Sequence, residues 1–293
     1  MRVAVIGLGG VGGYIAASLS KGSQEVVGFA RGEHLQKIQK DGLTIVEDEK
    51  KWVASIDAKE LKEVEGYFDV AIFCVKSYDL KESYEAMKSS LDAKSIIFSL
   101  SNGVEHGDEL RQWSESVVLD SCVYIISHIE NSGIVRKKGN IFALVCGGDA
   151  KASKVIKSVF DEVDLRVKIA EDIKKAIWKK YIFISAFATL TSYYDKSMFD
   201  VYENHFDEAR ALLVEIANVA FAKGIDIKDE VQKALNIVSK LPQDSSTSMH
   251  LDFKNKKRVE LQTLSAYIVD EAKNLGVNTP VMKKMYKELK SRL

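Results

Sequence analysis

The sequence predicts an α/β domain built on a parallel sheet with helices on both faces, followed by an all-α domain. Three observations carry that prediction. An apolar run, a glycine-rich turn and a helical pattern succeed one another directly from Val3. Strand-like and helical runs then alternate through the first half of the chain. From about Glu171 onward the strand signals stop, and the remaining residues read as helix.

Val3–Ile6 is the kind of short apolar run that forms a buried parallel strand. Gly7-x-Gly9-x-x-Gly12 comes at once after it, and Tyr14–Leu19 continues with helical periodicity. Strand, glycine turn and helix in this order form a dinucleotide-binding fingerprint, so the first domain is expected to be of Rossmann type. Gly7 permits the tight turn, Gly9 lets the backbone approach a pyrophosphate, and Gly12 lets the helix lie close to the strand. The free N–H groups of the first helical turn then face the phosphates. The candidate cofactor loop is therefore Gly7, Leu8, Gly9, Gly10, Val11 and Gly12.

The second strand, Glu25–Phe29, leads to Arg31. A carboxylate at its end would bind the ribose 2′-hydroxyl of NAD. A guanidinium there suits a 2′-phosphate, which it can grip through two charge-assisted hydrogen bonds, so NADP (as NADPH) is the expected cofactor. A solvated strand-end arginine is the alternative, and Glu33 lies close by.

Further strands are expected at Val70–Val75, Ile96–Leu100 and Val117–Leu119, with helices at Glu33–Asp41 and Leu80–Leu91 between them. Thr44–Val46 and Trp52–Ala54 read as an inserted hairpin, and Ser132–Gly148 as antiparallel strands that close the sheet. Beyond them, helices are expected with an interior at Ala176–Thr191, then at Phe199–Lys223, Lys228–Ser239 and Asp252–Leu275, with a short one after Pro280. The Ala176–Thr191 stretch has almost no polar face in its second half, which is the mark of a buried helix. The expected domains are residues 1–168, which bind NADP, and residues 169–293, which are helical and carry substrate and catalysis, with a cleft between them.

The 293 residues suffice for two cores. Lys plus Arg equal Asp plus Glu at 42 each, so nothing points to nucleic acid or an anionic membrane as partner. Cys74, Cys122 and Cys146 show no paired or metal-binding spacing and read as reduced thiols, and no metal ligand stands among the candidate residues. The first residues read as a strand rather than a signal peptide, and no run reaches the roughly 18 apolar residues of a membrane span. A cytoplasmic protein acting on a small molecule is expected. Val201–Ala222 can pack within one chain or between two, so a homodimer is open to it.

Three polar positions stand at places where chemistry could occur. Asn102-Gly103 comes after the Ile96–Leu100 run, where ligands of an open parallel sheet bind, although Asn-Gly is also an ordinary turn. Lys76 ends the Val70–Val75 run in the same way. Lys180 opens a helix that otherwise reads as buried, and an ammonium beside apolar surface calls for a carboxylate or a ligand. Partial burial also suits a lysine to donate a proton to a ketone. Glu260, in Val259-Glu-Leu-Gln-Thr-Leu, is its candidate counter-charge.

With these residues in view, the chain resembles the ketopantoate reductases (2-dehydropantoate 2-reductases) over almost its whole length. The family's glycine motif matches Gly7, Gly9, Gly12 and Gly13, and its basic residue matches Arg31. Its valine-lysine motif matches Val75-Lys76, and its asparagine-glycine motif matches Asn102-Gly103. The more specific tryptophan-x-lysine signature matches Trp178-Lys179-Lys180, and the late serine and glutamate match Ser248 and Glu260.

The resemblance implies NADPH-dependent reduction of a 2-oxo acid, making pantoate for pantothenate and coenzyme A. It implies Lys180 on the keto oxygen, Glu260 on Lys180 or a substrate hydroxyl, Ser248 on the substrate carboxylate, and Asn102 on cofactor or substrate. The family's asparagines four and eight residues beyond the lysine are here Ile184 and Ala188. Isoleucine cannot supply an amide's hydrogen bonds. This departure leaves two alternatives: a reductase of another, more apolar oxo acid, or a regulator that binds NADPH without turnover.

Overall fold

The computed structural model describes residues 1–293 as two compact units. The first is Met1–Ser101 with Glu105–Ile173; the second is Asn102–Val104 with Lys174–Leu293. In chain order the strands are β1 (Arg2–Ile6), β2 (Glu25–Phe29), β3 (Leu43–Glu47), β4 (Lys50–Ala54), β5 (Asp57–Lys59), β6 (Val70–Phe73), β7 (Ile96–Ser99), β8 (Val117–Val118), β9 (Asp120–Asn131), β10 (Ile134–Gly147) and β11 (Val167–Ile169).

Six of these form one sheet in the order β5-β2-β1-β6-β7-β8, and every pair in it is parallel. The chain moves outward from β1 to β5, then crosses back to place β6 on the other side of β1. That reversal is the topological switch point of a Rossmann-type sheet, and ligands bind beyond the strand ends there. Along β1 the side chains alternate between two cores. Val3 and Val5 pack with Ile15 and Leu19 on one face, while Ala4 and Ile6 pack with Phe29, Phe73 and Leu110 on the other. Both faces are covered, which is why β1 is apolar at every one of its central positions.

The expected hairpin is present as β3 and β4, turning at Asp48 with φ +48°. Where antiparallel strands are expected within Ser132–Gly148 to close the parallel sheet, the chain forms one strand, β10, and it belongs to a second sheet. β9 and β10 pair with each other, and β10 also runs parallel to β3 and β11. The inserted hairpin therefore supplies one partner of β10, the strand β3, and the local pattern around Ser132–Gly148 could not show this. The short strands β5 and β11, three residues each, carry too little apolar pattern to be read from sequence.

In the second unit the long apolar helix runs Ile173–Tyr194. The helix expected over Phe199–Lys223 is two helices, Met198–Asn204 and Phe206–Ala222, interrupted where His205 adopts φ −137° and ψ 37°. The helix expected over Asp252–Leu275 is also divided. Ser248–Lys254 is succeeded by a break with Lys256 at φ +51°, a π-helical turn at Gln262–Ala266, and an α-helix at Tyr267–Leu275. Glu230–Val238 and Pro280–Ser291 complete the unit. No helix is long and apolar enough to cross a membrane.

Pro280 starts its helix, and a carboxylate from another helix completes that start. The N–H groups of Val281 and Met282 donate to the two oxygens of buried Glu215, both at 2.8 Å. Burial raises the Glu215 pKa, and the two donors pull it back. Glu215→Ala leaves both N–H groups without acceptors and is expected to destabilise the chain by about 2–3 kcal/mol, read as a lower denaturant midpoint at unchanged m-value.

Candidate active site

The glycine turn closes on the end of β2: the N–H groups of Gly7 and Leu8 both donate to Phe29 O, at 2.9 and 3.1 Å. Gly7 takes φ +95°, which a side chain would strain. A Cβ on Gly12 would drive into the Gly7 carbonyl oxygen and stand 2.7 Å from Cys74 Cβ, so the helix Gly10–Leu19 lies against the ends of β1 and β6. Gly9 is the opposite case, because a Cβ there would meet nothing within 4 Å. The Leu8 side chain is buried beneath Gly28. Gly9 caps the helix without a side chain, so the N–H groups of the first turn lack intrahelical acceptors. An open glycine beside uncapped helical N–H groups fits a pyrophosphate.

Arg31 is the N-cap residue of Gly32–Asp41, and its side chain is 86% exposed. Its Nη2 stands 3.3 Å from Asp79 Oδ2. Asp79 ends the short turn Ser77–Asp79 that comes after Lys76 beyond β6. Sequence reading missed this carboxylate, because only the strand order brings residue 79 beside residue 31. Lys76 is half-buried, and its carbonyl accepts from Asp79 N–H at 2.9 Å.

His34 was also missed. Its Nε2 is 2.8 Å from Leu8 O and its Nδ1 is 3.0 Å from Gly133 N. Burial lowers its pKa, opposed by the Leu8 carbonyl. Nothing in the sequence singles it out.

In the second unit, half-buried Lys180 donates from Nζ to Asn102 Oδ1 at 3.1 Å. Two candidates separated by 78 positions thus meet. Glu260 is buried, 4% exposed, just ahead of the π turn. That turn is held to the Lys180 helix by hydroxyls at one-helical-turn spacing. Tyr181 Oη donates to Thr263 O at 2.7 Å, Ser185 Oγ donates to Leu264 O at 2.6 Å, and Thr189 Oγ1 lies 2.7 Å from Ser265 Oγ. A π turn breaks the regular backbone ladder, and these hydroxyls meet groups of the irregular segment.

Ser248 is exposed at the first position of Ser248–Lys254, behind the N-cap Thr247, whose Oγ1 accepts from His250 N–H at 3.3 Å. His250 is buried between Ser246 Oγ and Asp195 Oδ1, each 2.7 Å away, and this hydrogen bond holds the Asp195 carboxyl below its usual range. Thr191 Oγ1 meets Thr247 Oγ1 at 2.8 Å. Ser185 and Thr191 are fully buried and engaged with backbone or with Thr247, so neither replaces an amide at Ile184 or Ala188.

A parallel sheet of this order, a glycine turn at its switch point and a helical unit after it define a dinucleotide-dependent oxidoreductase fold. Residues 3–147 match the family described as ketopantoate reductase PanE/ApbA, and residues 172–292 match its C-terminal part. The chain belongs to the ketopantoate reductase PanE/ApbA family, whose members are oxidoreductases that use a nicotinamide dinucleotide. It is 27% identical to the "uncharacterized oxidoreductase YkpB" of Bacillus subtilis strain 168, over 99% of this chain and 98% of that one. It superposes on the PanE/ApbA family ketopantoate reductase of Ralstonia eutropha JMP134 with a TM-score of 0.93 and 27% identity, covering 100% and 98% of the two chains. With the 2-dehydropantoate 2-reductase of Porphyromonas gingivalis W83 the TM-score is 0.85 and the identity 29%, over 99% of both chains.

Gly12→Ala is expected to abolish nicotinamide dinucleotide binding and to lower the melting temperature, because helix and strand must separate to admit the methyl group. Gly9→Ala, at the open position, is expected to keep the melting temperature and lose affinity only. Thermal unfolding and a fluorescence titration of bound cofactor check both.

Proposed function

We propose that the chain is an NADPH-dependent reductase of a 2-oxo acid, with 2-dehydropantoate as the first substrate to test and pantoate as its product. The observation that carries this reading is the contact of Lys180 with Asn102 at 3.1 Å, beside the segment that bears Glu260. When bound, the nicotinamide supplies the hydride that reduces the keto carbon.

The backbone from Gly7 to Gly12 would hold the pyrophosphate, and Arg31 the 2′-phosphate, with Lys76 adding positive charge at the end of β6. Lys180 binds the keto oxygen, stabilises the negative charge that develops on it, and donates the proton that completes the alcohol. Asn102 accepts from the ammonium and orients it. Glu260 holds Lys180 or a substrate hydroxyl, and Ser248 binds the substrate carboxylate.

A second reading, reduction of a more apolar oxo acid, is favoured by Ile184 and Ala188. They lie one and two helical turns beyond Lys180 and offer no hydrogen bond, with Ala188 itself buried. The fold alone does not choose between substrates.

The test is oxidation of saturating NADPH with 2-dehydropantoate and a panel of 2-oxo acids. Rapid turnover of 2-dehydropantoate supports the first reading, and turnover of a bulkier apolar acid alone supports the second. No turnover with NADPH still bound leaves a non-catalytic binding protein. Lys180→Ala is expected to lower kcat by roughly 10²–10⁴-fold with the NADPH Kd nearly unchanged. Arg31→Ala is expected to weaken NADPH by about tenfold and leave NADH unaffected, as two titrations would show.

A further inference from the structure

We infer that His34 is a positioning residue for the cofactor: as a neutral imidazole it fixes the Leu8–Gly9 peptide plane, so that the Gly9 N–H is presented to the pyrophosphate. The inference rests on the proposed binding of NADPH at the glycine turn and adds a residue outside it.

The two contacts of the ring settle its protonation. Gly133 N–H can only donate, so Nδ1, 3.0 Å away, accepts and carries no proton. The Leu8 carbonyl can only accept, so Nε2, 2.8 Å away, carries the proton and donates. The imidazole thus bridges the glycine turn and the β9–β10 turn, which lie 125 residues apart at Leu8 and Gly133.

The consequence lies on the far side of one peptide bond. The chain has no cis peptide bond, and a planar trans peptide points its C=O and N–H in opposite directions. Holding Leu8 O toward His34 therefore turns the Gly9 N–H away from the ring. Gly9 has extended backbone at φ −70° and ψ −161°, and the space where its side chain would stand is open. The other side of the turn is already fixed by the N–H groups of Gly7 and Leu8 on Phe29 O. The Leu8 carbonyl is thus the remaining handle on this peptide, and His34 holds it. A donor aligned before the anion arrives need not be ordered on binding.

The experiment compares His34→Ala and His34→Gln for binding of NADPH and of adenosine 2′-monophosphate, which carries the 2′-phosphate but no pyrophosphate. The glutamine amide can accept from Gly133 N–H through its oxygen and donate to Leu8 O through its nitrogen. The expected result is that H34A weakens NADPH by roughly tenfold and leaves adenosine 2′-monophosphate unchanged, while H34Q restores most of the NADPH affinity. At saturating NADPH, kcat and the KM for the oxo acid stay at wild-type values.

NADPH binding by H34A equal to that of the wild type overturns the inference, as does equal weakening of both ligands. If H34A does not fold, His34→Asn, which is too short to meet both groups, takes its place. A wild-type chain that binds adenosine 2′-monophosphate and NADPH no better than a Gly12→Ala control overturns the NADPH reading itself, and the inference with it.

Discussion

The closeness of the helix Gly10–Leu19 to the ends of β1 and β6 governs the first unit. It exists because Gly12 has no side chain: the Gly7 carbonyl and Cys74 Cβ occupy the space a methyl group would need. That contact sets the direction of the helix, the exposure of its first-turn N–H groups at the switch point, and the tight turn at Gly7. The surrounding sheet keeps the geometry fixed, because β1 is paired on both sides and buried on both faces. A glycine turn of this kind is rigid because its neighbours leave it no room to relax.

The second unit meets a different constraint, which is how to place an irregular backbone inside a core. The π turn at Gln262–Ala266 is buried at four of its five positions. Buried peptide groups need partners. Tyr181 and Ser185 supply hydroxyls to Thr263 and Leu264, and Thr189 meets the side chain of Ser265. These hydroxyls explain why a helix that reads as almost wholly apolar carries polar groups at fully buried positions. The same helix bears Lys180 one residue before the first of them, so the hydroxyls that hold the turn also fix the helix beneath the lysine.

How much of the molecule is legible in its sequence depends on the range over which each signal acts. The fingerprint from Val3 to Leu19 is contiguous, and each of its motif glycines has a physical reason that the sequence alone supplies. The parallel alternation and the helical second half are equally readable. Pairing partners are not. Ser132–Gly148 holds one strand, β10, not the antiparallel strands expected within it; its antiparallel partner β9 precedes it, and its other neighbours, β3 and β11, are parallel to it. The breaks at His205 and Lys256 escape because neither glycine nor proline marks them. Lys180, Asn102 and Glu260 stand out by their chemistry, and the first two do meet. Asp79 and His34 are invisible, since each acts on a residue that only the fold brings near.

The π turn also resets the phase of the helix that contains it. A π-helical turn holds one residue more than an α-helical turn, and each residue advances the direction of a side chain by about 100°. A single 3.6-residue period drawn from Asp252 to Leu275 therefore cannot hold on both sides of it. Val259 and Glu260 lie in the non-helical segment just ahead of the helix and outside its period, whereas Ile268 and Ala272 lie on the α-helix after the π turn, and all four are buried. Within one straight helix, an acidic residue so close to an inward apolar stripe would have to choose between core and solvent. The break before Leu261, with the π turn after it, allows the carboxylate and the stripe to be buried in the same stretch of chain.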